Sequence, residues 1–86
     1  MKITLTYDLG NGPVTVTTTL EVIVAWERKY QRKASDLAKG LGMEDLLFLA
    51  WKASLVHGVT VPIEFDAFIK KCQDLEVTGD EQVRPT

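Results

Sequence analysis

Cysteine is almost missing from this 86-residue chain: Cys72 stands alone, which rules out an internal disulfide and a zinc site built on thiolates. Histidine is equally scarce. His57 is the only one, so a metal site would have to be assembled from carboxylates. No charge sign dominates. Ten lysines and arginines against twelve acids leave a net charge of −2, which argues against a dedicated nucleic-acid binder. No apolar run approaches membrane-spanning length, and MKITLTYD has no apolar signal-like segment. The expectation is a cytoplasmic protein without a membrane partner. No repeat or internal linker divides the chain, and at this length there is room for one core.

What is present centres on Met43 to His57, MEDLLFLAWKASLVH, closed by Gly58. At 100° per residue, Leu46, Leu49, Ala50, Ala53 and His57 form one seam. Phe48, Trp51 and Leu55 form a second. A helix apolar around most of its circumference is surrounded by other elements, which makes this the central helix.

Before it, Ile3, Leu5 and Tyr7 alternate with polar residues, and the alternation resumes at Val14 and Val16 after Gly10-Asn11-Gly12. This is an antiparallel hairpin, not a phosphate loop, because a strand with Pro13 follows the glycines where a phosphate loop opens a helix. Thr18 and Glu21 have the spacing of a capping box for a first helix over residues 19–33. Its inner stripe is Val22, Ile23, Trp26 and Tyr30, and Leu20 and Val24 lie off that stripe. A short turn near Ser35 and the loose Gly40-Leu41-Gly42 lead to the central helix at 43–57. Pro62 is placed to open a third helix over 63–73, whose stripe is Phe65, Phe68, Ile69 and Cys72. Leu75-Glu76-Val77 reads as a last turn or a short strand. The fold class is therefore α+β, an N-terminal hairpin on three main helices. The domain spans 1–77, with 78–86 a polar, disordered tail.

Few residues carry chemistry. Cys72 continues an apolar stripe and reads as a small core hydrophobe, and His57 sits where a helix dipole favours it. The acids Glu44, Asp45, Glu64 and Asp66 occupy first helical turns. No catalytic residue, cofactor or metal is expected. Arg28, Lys29, Arg32 and Lys33 put four cations within two turns; they form either a solvated face or a surface for an acidic or phosphate-bearing partner.

Three segments carry a resemblance: Ala25-Trp26-Glu27 after the hairpin, Phe48-Leu49-Ala50-Trp51-Lys52-Ala53 ending in His57-Gly58, and Pro62-Ile63-Glu64-Phe65-Asp66-Ala67-Phe68 leading to Leu75-Glu76-Val77. In this order they resemble the small tail assembly chaperones of long-tailed actinobacterial phages and prophages. The resemblance implies a non-enzymatic protein of the bacterial cytoplasm that binds the tape-measure protein. It would keep that long helical chain soluble while tail-tube subunits polymerise around it. Many members are also made in a longer, frameshifted form. Tape-measure protein, tail-tube protein and a second copy of the chain are the partners this implies. The apolar residues in surplus of one small core are Phe48, Trp51, Leu55, Leu20 and Val24, with Arg28 and Arg32 as a charged rim. The competing reading is a small regulatory module that binds nucleic acid through the Arg28–Lys33 patch.

Overall fold

The computed structural model describes residues 2–80. Alternation makes β1 (Ile3–Asp8), whose Ile3, Leu5 and Tyr7 are buried while the residues between them are only half covered. Asp8 turns the chain: its Oδ1 accepts from the amides of Gly10 (2.6 Å) and Gly12 (3.3 Å). Both glycines adopt positive φ, at 106° and 107°, which side chains resist. The chain returns as β2 (Pro13–Thr17), antiparallel to β1, with Leu5 opposite Val16 and Tyr7 opposite Val14.

Thr18 does not cap the first helix. It extends the hairpin ladder, donating its amide to Ile3 O (2.9 Å) and accepting Ile3 N–H on its buried hydroxyl (2.9 Å). With Thr18 engaged there, capping passes to Thr19, whose hydroxyl accepts from Val22 N. Helix α1 (Leu20–Tyr30) ends three residues before the expected boundary, where Gln31 turns left-handed at φ 53°. A 3-10 segment (Ala34–Lys39) follows. The central helix α2 (Met43–Val56) begins where Asp45 reaches back to accept Gly42 N–H (2.9 Å), and stops before Gly58 at φ 77°.

Helix α3 (Phe65–Lys71) is shorter than its stripe suggests, and Pro62 is not its first residue. The Pro62 carbonyl is taken by Trp51 Nε1–H (2.8 Å), the chain bends at Ile63 and Glu64, and the helix starts only after Glu64. The largest departure from expectation comes next. β3 (Asp74–Asp80) is a full strand antiparallel to β1, giving a three-stranded sheet in the order β2-β1-β3. It contains Thr78, Gly79 and Asp80, which the sequence reading assigned to a disordered tail. The polarity of Thr78 reflects an uncovered sheet face, where its hydroxyl meets that of Thr6 (3.3 Å) and the Thr4 carbonyl (3.4 Å). The rest of the expected tail, residues 81–86, lies outside the described residues.

The other sheet face carries the core, so the architecture is α+β with the hairpin packed on the helices. Leu5, Tyr7, Val22, Trp26, Leu49 and Phe68 are fully enclosed, and Ala50 and Ala53 let α2 come close to its neighbours. Besides Thr18, the buried polar residues Ser54 and Asp45 enter this core, and both are satisfied. Ser54 Oγ donates to Ala50 O (2.8 Å), which leaves the Tyr7 hydroxyl to donate to Ser54 Oγ (2.7 Å). Trp26 Nε1–H donates to the buried Asp45 carboxylate (2.9 Å).

Candidate partner-binding surface

The seven residues expected to meet a partner separate into two groups. Phe48 is core, only 5% exposed. Its ring packs edge-on against Tyr30 and Phe65 at centroid distances of 5.7 and 5.6 Å. Trp51 is half-buried at 5.3 Å from Phe65, and its indole N–H is committed to Pro62. The second seam of α2 is therefore covered internally by α3, an arrangement that helical periodicity does not specify. Only Leu55, at the far end of that seam, is exposed.

Arg32 also leaves the surface set. Its guanidinium lies 5.4 Å from the Trp26 ring centroid and pairs with Asp45 (3.5 Å) and Asp36 (3.7 Å). It closes the solvent side of the Trp26–Asp45 contact. Lys29 is directed elsewhere, over the rings of Tyr30, Phe48 and Phe65 at 5.4–5.9 Å. Of the four cations that adjoin in sequence, Lys29 and Arg32 thus lie against rings or acids of the domain itself, and Arg28 and Lys33 are exposed. Near Lys29, the Tyr30 hydroxyl donates to Glu44 (2.9 Å). Burial first, and then this carboxylate, raise the phenol above its ordinary range.

Leu20, Val24 and Arg28 remain, four residues apart and hence one above another on α1. Together with Glu21, Ala25 and Lys52 of α2 they line an open groove of about 390 Å³. Leu20 is 71% exposed, a large apolar side chain immediately after the helix cap. Lys52 becomes the second cation of the groove only when α2 packs beside α1. Leu55 follows it one helical turn later. The groove lining combines the apolar Leu20, Val24 and Ala25 with two cations, Arg28 and Lys52, and one acid, Glu21.

Elsewhere the chemistry is spare. Burial lifts the Cys72 thiol above its usual range, so the reactive thiolate is disfavoured; the thiol donates to the Asp74 carbonyl (3.3 Å). His57 is exposed, and its Nε2 meets the Thr17 carbonyl at 2.8 Å; a carbonyl only accepts, so this nitrogen carries the proton. No group of three or more potential metal ligands occurs among the described residues. No helix among them is long and apolar enough to cross a membrane. In comparison with known proteins, no family model, curated protein or solved structure matches the chain.

Proposed function

We propose that this protein is a tail assembly chaperone of the kind its sequence resembles, and that it binds a helical tape-measure protein to keep it soluble during tail-tube assembly. The observation that carries the reading is the α1–α2 groove, where Leu20 and Val24 stand exposed beside Arg28 and Lys52. A client helix with an apolar stripe and acidic flanks is complementary to that surface. Leu20 and Val24 receive the stripe, while the two cations set its direction and register. The core gives these two leucine and valine side chains no inner partner, which supports a role outside the domain. Phe48 and Trp51 have no part in this binding, since the core already uses them.

The test is co-expression of the full chain with a tape-measure protein. Leu20→Glu combined with Val24→Glu is expected to release the client into the insoluble fraction while the melting temperature of the chaperone stays unchanged. A client that remains equally soluble with the double variant would overturn the reading.

A further inference from the structure

The two edges of the sheet are treated differently. β2 is blunted in the ways that discourage strand pairing: it has five residues, opens with Pro13, and has its Thr17 carbonyl occupied by His57. β3 has seven residues and neither proline nor lysine, and its single irregularity lies beyond Val77, where the register shifts between Thr4 and Leu5. Ile3 directs its peptide groups to the β2 side, as its bonds with Thr18 show, and the Asp8 carbonyl faces the β3 side, where it accepts Gln73 N–H (2.8 Å). Alternation along the ladder then turns the peptide groups of Glu76 inward and those of Leu75 and Val77 outward. The outward Leu75 N–H is held by the Asp74 side chain (3.0 Å), a bond that an incoming carbonyl would replace. Val77 is 44% exposed. Next to the strand lies a groove of about 270 Å³, lined by Met43, Leu47, Ile69, Cys72 and Leu75 together with the polar Gln73 and Asp74; Met43 is 61% exposed.

We propose that β3 is a second binding site, independent of the α1–α2 groove, which adds an extended segment of another protein as a fourth strand. The chemistry of that segment follows from the edge. Side chains pointing toward the helices meet Met43, Leu47, Ile69 and Leu75 in the groove, so alternate residues are apolar. On the open face Asp8 lies opposite Asp74, and Glu76 follows beside Thr6, while no strand contains a lysine or arginine. Among the described residues Glu76 has no ion-pair partner. The residues between the apolar ones are therefore basic. A second copy of β3 is a poor occupant. A two-fold pairing centred on Leu75 sets Glu76 against Asp74, and one centred on Glu76 sets it against itself; like charges directly opposed destabilise a sheet.

The probe is a capped peptide of about nine residues, enough to span the strand at ~3.3 Å per residue, alternating valine with lysine or threonine. It is titrated into the full chain and followed by backbone amide shifts. The expected result is binding that moves Asp74 to Val77, Met43 and Leu47, abolished when proline replaces the central valine and absent with glutamate in place of lysine. Glu76→Lys, a change on the exposed face, is expected to weaken binding about tenfold or more with the melting temperature unchanged. Binding should persist in the Leu20→Glu, Val24→Glu protein, which keeps this test separate from that of the α1–α2 groove. No shift at β3, equal binding of the proline peptide, or peptide-free self-association through β3 would each overturn the proposal.

Discussion

At the scale of single residues, Asp45 is the most consequential polar group. One buried carboxylate caps α2 through Gly42, receives the Trp26 indole and pairs with Arg32. Asp45→Ala leaves an indole N–H unsatisfied in the core, removes the cap of α2 and leaves the Arg32 guanidinium with Asp36 alone. A loss of about 3–5 kcal/mol is expected by chemical denaturation, as for breaking other buried pairs. Asp45→Asn retains an oxygen for the indole and should lose less. Phe48 makes a comparable case among apolar residues. Enclosed by Tyr30, Trp51 and Phe65, Phe48→Ala should cost about 3–5 kcal/mol. Leu20→Glu, on an open face, should stay within about 0.5 kcal/mol. Equal losses at both positions would show that Leu20 is core and not a partner surface.

Among elements, the 3-10 segment Ala34–Lys39 has a stability that responds to acid. Asp36 accepts from the Lys33 amide, and this bond, with Lys39 and Arg32 adding to it, holds its carboxyl below the ordinary value of 3.8. A carboxyl depressed in the folded state stabilises the fold above the unfolded value, and the contribution disappears as pH falls through the folded one. Asp36→Asn should therefore melt below the parent at neutral pH. The two curves should converge as pH is lowered past about 4, the ordinary carboxylate range. A gap that persists at lower pH would show that Asp36 acts without its charge. The sheet makes a second prediction at this scale. β1 is the central strand and the only one with neighbours on both sides, so its amides should exchange most slowly, and those of Leu75 and Val77 on the outer edge fastest within the strands.

For the molecule as a whole, a radius of gyration of 12.2 Å is what one folded body of this length should have, about 12 Å. One core, built where α2 crosses the inner face of the sheet, serves all three strands. The two candidate surfaces lie on different elements of that body, a groove between α1 and α2 and an edge at β3. A mutation that closes one should leave the other working, and a complex with both occupied is the expected outcome when helical and extended probes are mixed. Size-exclusion chromatography with light scattering would show whether the two bind together or exclude each other.

The local patterns determined the elements themselves. Period-two alternation around Gly10-Asn11-Gly12 specified the hairpin, the apolar run from Met43 specified the central helix with Gly58 as its stop, and Leu20 and Val24 were already off the inner stripe of α1. Such features depend on neighbours within a turn or a pair of strands, so they can be read along the chain. Tertiary structure decided the rest, because each remaining question concerned which distant residue stood opposite. Thr18 lost its cap position to Ile3, and Pro62 lost its place in α3 to the Trp51 indole. Thr78 through Asp80 became strand because β1 had a free side and the threonines found partners across it. Phe48 and Leu55 share one seam in sequence, but α3 covers only the first. Arg28 and Arg32 would share one face of a helix running to residue 33, yet α1 ends at Tyr30 and a buried acid thirteen residues from Arg32 draws it inward, while Arg28 stays beside Lys52 in the groove. Periodicity says which face a side chain is on; only packing says whether that face meets another part of the chain or is left open to a partner.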